Sequence, residues 1–133
     1  MFSHYLTFNR NCAEALAVYA EAFGAEIVTM EKYGDIANPG FPMAEADKGL
    51  VLHSCLQWED SLLMCADSAE RIQPGSNMYI AVTVKDQESV ERAWNMLKQN
   101  AVIYMDLAPT FFALLHGSLR DRFGVNWMFT VEK

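Results

Sequence analysis

The side chains with the clearest capacity for chemistry in this sequence are histidines and an aspartate in strand-like segments. His4 opens "HYLTF", His53 lies within "VLHSCLQ", and Asp67 ends "SLLMCAD". Imidazole exchanges protons near neutral pH, and a nearby carboxylate can orient it as an acid or a base. We therefore predict His4, His53 and Asp67 as catalytic residues. The alternative for each is structural: a polar strand end, a buried histidine and a turn-starting acid, respectively.

His53 shares a strand face with residues of mixed polarity. Alternation places Val51, His53, Cys55 and Gln57 on one side of the strand. The opposite side is mostly apolar and suits packing on a helix: Leu50, Leu52, Leu56 and Trp58. The mixed face is predicted to line a cavity, with Gln57 available to a ligand. Cys55 and Cys65 lie in apolar runs with no cationic neighbour visible, so both are predicted to be core residues.

The segment "RDRFGVNWMF" predicts a tight turn, from Asp121 to Gly124, followed by a final strand. Alternation puts Trp127 and Phe129 on one face, predicted to pack under a helix. The other face is mixed and carries no acid: Asn126, Met128 and Thr130. We predict that this face lines the cavity, together with Phe112 and His116 from the preceding segment.

Composition restricts the class of protein. The chain has 133 residues, 52% of them hydrophobic and 20% charged, which indicates one globular domain. Its net charge of −7 disfavours nucleic acid and anionic membrane surfaces as partners. No apolar run reaches the ~18 residues of a membrane helix, and no signal segment is visible. Three widely spaced cysteines suggest a reduced, cytoplasmic protein.

The N-terminal half contains a helix with recognisable ends. Asn11 is predicted to be its N-cap, and Glu14, three residues later, completes a capping box. Gly24 stands where a left-handed C-cap is needed. A strand precedes this helix, and three strands follow it, with Glu59 and Asp60 predicted to turn a hairpin between the last two.

The same order of elements restarts after the connector 68–76. Asp86 is predicted to cap a second helix, and Tyr19 of the first helix matches Trp94 of the second, 75 residues on (94 − 19). We predict an α+β fold of two βαβββ modules, 1–67 and 77–133, within a single domain 1–133. Their mixed, curved sheets would form a cup, with the helices packed outside. The long loop 35–49 is predicted to cover a site.

The motifs "YLTFNRNCAEALAVYAEAFGAEIVTMEKYGD" and "DRFGVNWMF" resemble the opening and closing segments of the PhnB-like branch of the vicinal oxygen chelate (glyoxalase/bleomycin resistance protein/dioxygenase) superfamily. The resemblance covers nearly the whole chain and implies the duplicated fold. Members of this fold usually form dimers, so a homodimer is expected. Related sequences are often labelled 3-demethylubiquinone methyltransferases, but no GxG turn for a methyl-donor cofactor occurs in this chain.

The resemblance also implies where a metal would bind. Metal-dependent members use four strand residues, whose positions here fall on His4, Tyr79, Met128 and, as the nearest acid, Asp67. Tyrosine and methionine are poor ligands for a hard or borderline divalent ion. His4 is then the one retained ligand position, and we predict no metal cofactor, with a divalent metal as the alternative.

Two functions follow from these residues. The first is a metal-free protein of the bleomycin-resistance type that binds a small organic ligand in the cup. Its predicted ligand-binding residues are Gln57, Tyr79, Phe112, His116, Asn126 and Met128. The alternative is an enzyme of the lyase, isomerase or dioxygenase type, acting on a small oxygen-rich substrate with or without metal assistance through His4. A regulatory dimer without a ligand is disfavoured by the polar strand face around His53.

Overall fold

The computed structural model describes residues 1–38 and 40–133 and divides into two compact units, Met1–Ile72 and Gln73–Lys133. The boundary between the units falls in the connector 68–76. Pro39, within the predicted site-covering loop 35–49, lies outside the described residues. Around it, short 3-10 turns occupy Tyr33–Asp35 and Glu45–Asp47. An ion pair of 2.8 Å joins Arg10 to Asp47 at the end of this loop.

The first unit is a βαβββ module whose sheet is covered on one side by a helix. Its elements are β1 (Tyr5–Phe8), α1 (Cys12–Phe23), β2 (Glu26–Lys32), β3 (Val51–Trp58) and β4 (Ser61–Asp67). The strand order is β1-β4-β3-β2, with β1 parallel to β4 and the other pairs antiparallel. Parallel pairing of β1 with β4 places the opening strand beside the last one of the module.

The second unit repeats this plan. Its elements are β5 (Ile80–Val84), α2 (Gln87–Leu97), β6 (Val102–Ala108), β7 (Leu115–Arg120) and β8 (Asn126–Val131). The strand order is β5-β8-β7-β6, again with one parallel pair, β5 with β8. The predicted α+β class with two mixed four-stranded sheets is confirmed. Neither α1 nor α2, the helices of the described part of the chain, has the length and apolar character needed to cross a bilayer.

The N-terminus of α1 differs from the prediction. Asn11 precedes the helix but makes no side-chain capping bond, and its Oδ1 is buried with no hydrogen-bond partner among the described residues. The predicted capping box is therefore wrong. The Asp67 carboxylate, at the end of β4, accepts the Cys12 N–H over 2.9 Å and performs the capping role from elsewhere in the sequence. Gly24 has the predicted left-handed conformation, with φ of 64°.

The second helix follows the prediction closely. The Asp86 side chain accepts the Glu88 N–H over 3.2 Å, as an N-cap aspartate should. The buried stripe of α2 is the predicted one: Val90, Ala93, Trp94 and Leu97. The Trp94 ring meets Phe129 of β8 edge-on, with centroids 5.9 Å apart. This contact fixes α2 on one face of the second sheet.

The turn before β8 is built around Asp121. Its backbone carbonyl accepts the Gly124 N–H over 3.0 Å, and Gly124 has a φ of 95°, which side-chain-bearing residues rarely adopt. The Asp121 carboxylate accepts the N–H groups of Phe123 and Val125 over 2.9 and 3.0 Å. The predicted turn is confirmed, and the extra hydrogen bonds explain why an aspartate opens it.

Candidate functional site

In each unit the sheet face turned away from the helix is called its open face. In the first unit, Ser54 and Leu56 of β3 are buried on the side of α1, where the Ser54 Oγ lies 3.9 Å from the Cys12 Sγ. His53, Cys55 and Gln57 alternate with them and therefore lie on the open face. This is the face that the sequence predicted for them.

Val51 is the exception on that strand. Glu31 of β2 pairs with His53, but the next residue, Lys32, pairs with Val51, so Leu52 is an extra residue in β3. Such a β-bulge reverses the side-chain direction beyond it. Val51 is fully buried, and its N–H donates to the Asp67 carboxylate over 2.9 Å. The prediction that Val51 shares the open face with His53 is wrong for this reason.

Three side chains meet on the open face of the first unit. The Tyr5 hydroxyl lies 3.0 Å from His53 Nδ1, and the two rings stack with centroids 5.8 Å apart. On the other side of the imidazole, His53 Nε2 lies 3.6 Å from the Cys55 Sγ. Cys55 is half-buried on this face, so the prediction that it is a core cysteine is wrong. One imidazole thus links a phenol to a thiol.

The other two cysteines have a different environment. Cys12 and Cys65 are fully buried, and their thiols interact below the sheet. The hydrogen bond with Cys12, and after it burial, raises the pKa of the Cys65 thiol far above its ordinary value. Burial, with a smaller contribution from the cysteine thiols, also raises the pKa of Tyr5. Cys65 is a core residue, as predicted.

Asp67, predicted to orient a histidine, has two backbone partners instead. Its Oδ1 accepts the Cys12 N–H and its Oδ2 accepts the Val51 N–H, each over 2.9 Å. The carboxylate is buried and joins α1 to the start of β3. The expected Asp67–histidine pair is thus replaced by a structural anchor, because both oxygens are engaged by the backbone.

His4 is exposed and precedes β1 by one residue. Along β1, Phe8 is buried toward the helix while Tyr5 is exposed on the open face. Tyr5 is therefore the first residue of β1 on the open face, and His4 lies just outside the strand. The alternation of Tyr5 and Thr7 with Leu6 and Phe8 is the local signal that places Tyr5 on this face.

Gln57 lies at the end of the same face. It is exposed, and its Nε2 donates to the Glu59 carbonyl over 3.4 Å. Glu59 has a φ of 53° at the predicted hairpin between β3 and β4, which is confirmed. Gln57 is thus accessible but already has a partner in the hairpin.

The open face of the second unit follows the predicted alternation. Trp127 and Phe129 are fully buried on the side of α2, while Met128 and Thr130 lie half-buried on the opposite side. Ladder pairing confirms this, because Ser118 and His116 of β7 stand opposite Met128 and Thr130. The register of β8 is the predicted one.

His116 is held in place by two neighbours. Its Nδ1 lies 3.0 Å from the Thr130 Oγ1, and the Phe112 ring meets the imidazole edge-on with centroids 5.0 Å apart. Phe112 is 50% exposed and lies beside Phe111, which is 92% exposed. Within the described chain, His116 Nε2 has no hydrogen-bond partner. The structure therefore brings Phe112 and His116, both predicted to bind a ligand, into contact with each other.

Asn126 is buried, with its amide fully used. Its Nδ2 donates to the carbonyls of Gly75 and Met78 over 2.8 and 2.9 Å, and its Oδ1 accepts the Tyr104 hydroxyl over 3.0 Å. The Tyr104 ring meets Tyr79 edge-on, with centroids 6.1 Å apart. A ligand could use the Asn126 side chain only by displacing one of these three hydrogen bonds. Asn126 therefore anchors the connector. Tyr79 lies at the margin of the open face.

In this chain, the side chains at the four positions that bind metal in the vicinal oxygen chelate superfamily do not suit a divalent ion. Asp67 uses both oxygens for the backbone, and His4 lies outside β1. Tyr79 and Met128 supply a phenol and a thioether, which compete poorly with water for such an ion. Among residues 1–38 and 40–133, no three His, Cys, Asp or Glu side chains cluster closely enough to hold a metal.

Comparisons with known proteins identify the family. A family model described as 3-demethylubiquinone-9 3-methyltransferase matches residues 1–130. Protein YjdN of Escherichia coli (strain K12) is 31% identical over 142 residues, covering 98% of this chain and 95% of YjdN. The crystal structure of protein PA1353 from Pseudomonas aeruginosa matches with a TM-score of 0.88 and 31% identity, covering 99% of this chain and 97% of PA1353. The PhnB protein from Bacillus cereus matches with a TM-score of 0.77 and 27% identity, covering 98% of each chain. The chain therefore belongs to the family described as 3-demethylubiquinone-9 3-methyltransferase, the PhnB-like branch of the vicinal oxygen chelate superfamily.

Proposed function

We propose that the protein binds a small, planar organic ligand on the open face of its second unit and requires no divalent metal to do so. The observation that carries this proposal is the arrangement of His116, whose Nδ1 is fixed by Thr130 and whose ring lies beside the half-exposed Phe112. An oriented imidazole next to an exposed aromatic ring provides a directional hydrogen bond and a stacking surface.

The neighbouring residues indicate what kind of ligand fits. Met128, half-buried on the same face, supplies an adaptable thioether that contacts aromatic rings favourably. The net charge of −7 disfavours anions. We therefore expect a neutral or cationic conjugated molecule that offers one polar atom to His116.

The family's description names a methyltransferase, and we do not extend that activity to this chain. A methyltransferase of the usual kind binds its cofactor at a glycine-rich turn after a strand. The sequence contains no GxG. The donor set at the four positions likewise disfavours metal assistance through His4, because a phenol and a thioether bind a divalent ion poorly.

The ligand proposal can be tested with N-phenyl-1-naphthylamine, a neutral planar probe whose fluorescence rises in apolar sites. Titration of the wild-type protein should show saturable binding. Phe112→Ala and His116→Ala should each weaken it by about tenfold, the loss of roughly 1.4 kcal/mol of binding energy. Phe2→Ala is the matched control, because Phe2 is a fully exposed aromatic residue of the first unit, and it should bind normally. Equal binding by all three variants would contradict the proposal.

We also propose a homodimer. The edge strand β6 presents four consecutive apolar side chains that are all exposed: Val102, Ile103, Tyr104 and Met105. Soluble proteins rarely leave such an edge uncovered, and a second copy of the chain would cover it. Light scattering should give twice the chain mass of 15.0 kDa. A monomer at micromolar concentration would refute this. The three free cysteines support a reducing location such as the cytoplasm.

A further inference from the structure

The open face of the first unit carries a chain of contacts that the ligand proposal does not use. Tyr5 Oη, His53 and Cys55 Sγ are joined through the two nitrogens of one imidazole, over 3.0 and 3.6 Å. A nucleophile, a base and a group that orients the base form the arrangement by which proteins activate a thiol. Two of the side chains come from β3, and Tyr5 reaches them from β1 across β4.

The backbone explains why this arrangement is rigid. His53 and Cys55 are two residues apart on β3, so they share a face at fixed spacing. Cys55 pairs in register with Met64 of β4, which in turn pairs with Tyr5 of β1. All three residues therefore stand on hydrogen-bonded strands, which position side chains more accurately than loops do.

We propose that Cys55 is a nucleophilic thiol that captures neutral α,β-unsaturated carbonyl compounds, with His53 as its base and Tyr5 as a positioning residue. The Cys55 S–H proton passes to His53 Nε2, and a sulfur lone pair forms a bond to the β-carbon of the substrate. The C=C π pair moves to the α-carbon, which takes the proton back from His53. The product is a thioether, and no further reactant is needed.

The surroundings favour this class of electrophile. Sulfur is a soft nucleophile that suits a soft conjugated carbon. The half-buried Met64 lies on one side of Cys55 in register, and Thr29 on the other, which gives an uncharged setting. Glu31 pairs with His53 and, together with the negative net charge, disfavours anionic substrates.

The molecule contains its own controls for thiol reactivity. Cys12 and Cys65 are 0% exposed and lie on the helix side of the sheet, whereas Cys55 is half-buried beside Tyr5, which is 48% exposed. A reagent reaching the open face should therefore modify one cysteine of three. This proposal concerns a different sheet from the His116 site and does not rest on it.

The test uses N-ethylmaleimide, which is a neutral α,β-unsaturated carbonyl compound. At pH 7, with reagent near stoichiometric, intact mass should show one adduct and peptide mapping should place it on Cys55. Cys55→Ser should remain unmodified while folded. Modification of Cys12 or Cys65 before Cys55, or no adduct on the folded protein, would overturn the proposal.

Variants of the other two residues separate activation from exposure. His53→Gln should slow the reaction by at least about tenfold at pH 7, as loss of a positioned base does. Its rate should then rise by about tenfold for each pH unit, as for a simple thiol, while the wild-type rate should rise less steeply. Unchanged rate and pH profile in His53→Gln would refute the role of the histidine.

Tyr5→Phe keeps the stacked ring and removes the hydroxyl. It therefore tests the activation of Cys55 even if His53→Gln folds poorly. It should slow the reaction and steepen the pH profile of the rate in the same direction as His53→Gln. Tyr33→Phe is the matched control, because the Tyr33 hydroxyl donates to the Asp67 backbone carbonyl over 3.4 Å and not to His53. Equal profiles for the two tyrosine variants would exclude a positioning role for Tyr5.

Discussion

The Trp127 indole N–H donates to the Asp121 carboxylate over 2.8 Å and ties the largest buried side chain to the turn that precedes its strand. The same carboxylate accepts two backbone N–H groups of the turn. Asp121→Ala would leave the buried indole N–H and two half-buried backbone N–H groups without this acceptor and should lower the free energy of unfolding by about 3 kcal/mol. Urea denaturation measures this. Asp86→Ala, which removes an exposed helix cap, should cost about 1 kcal/mol, and equal costs would contradict the expectation.

The two faces of β8 should respond differently to substitution. Trp127→Ala removes a fully buried side chain and should cost about 3–5 kcal/mol of unfolding free energy. Met128→Glu places a carboxylate on the half-buried open face and should give a folded protein. Thermal unfolding of both variants tests this. A Met128→Glu protein that fails to fold would mean that the open face is sealed, since an unpaired buried charge is highly unfavourable.

Chelation should leave stability unchanged. A metal held by several side chains stabilises the folded state through linkage, by several kcal/mol when binding is tight. The phenol of Tyr79 and the thioether of Met128 provide no such binding. The melting temperature should therefore be the same with and without EDTA. A clear fall that zinc, nickel or manganese restores would overturn the metal-free proposal.

Stability should fall in alkaline solution because of Cys65. Its pKa is raised in the folded protein, so the neutral thiol is favoured by folding. The neutral Cys65 thiol contributes its full share of the unfolding free energy below the ordinary thiol pKa of 9.0. This share is lost progressively at higher pH, where the unfolded chain releases the proton. One proton corresponds to about 1.4 kcal/mol for each pH unit. The pKa of Tyr5 is also raised, from an ordinary value of 10.0, so this residue adds to the loss of stability only at still higher pH.

Two variants isolate this effect. Cys65→Ala should be less stable at neutral pH but should lose less stability than the wild type between pH 9 and 10. Leu97→Ala truncates another fully buried side chain without removing a thiol and should keep the wild-type slope. Urea denaturation at each pH measures the unfolding free energy. If its slope against pH is identical in all three proteins, the loss of stability in alkaline solution comes from other groups.

Local patterns in the sequence predicted most of the fold. The alternation in "NWMFTV" identified the two faces of β8, and Asp86 identified the start of α2, because both signals involve residues within a few positions of each other. Two of the predictions that were wrong involve pairing between distant segments. Asp67 replaces Asn11 at the cap of α1, and the bulge at Leu52 turns Val51 inward. Neither contact leaves a local signal.

The reactive cluster was partly accessible from the sequence. Alternation alone placed Cys55 beside His53, and the absence of lysine or arginine nearby led to its assignment as core. Tyr5 could not be located with the same certainty, because its contact with His53 depends on the parallel pairing of β1 with β4. Which strands become neighbours is decided by the whole module rather than by any short segment.

The cap of α1 by Asp67 also bears on the order in which the chain folds. Asp67 and Cys12 are 55 residues apart, whereas Asp86 and Glu88 are separated by two. Contacts between distant segments form only after the intervening chain has closed into a loop, which slows them. In pulse-labelled hydrogen exchange during refolding, the amides of α2 should therefore become protected before those of α1. Asp67→Ala should remove less protection from the early α2 signal than from the late α1 signal. The two modules, although built on the same plan, should therefore form their helices at different times during refolding.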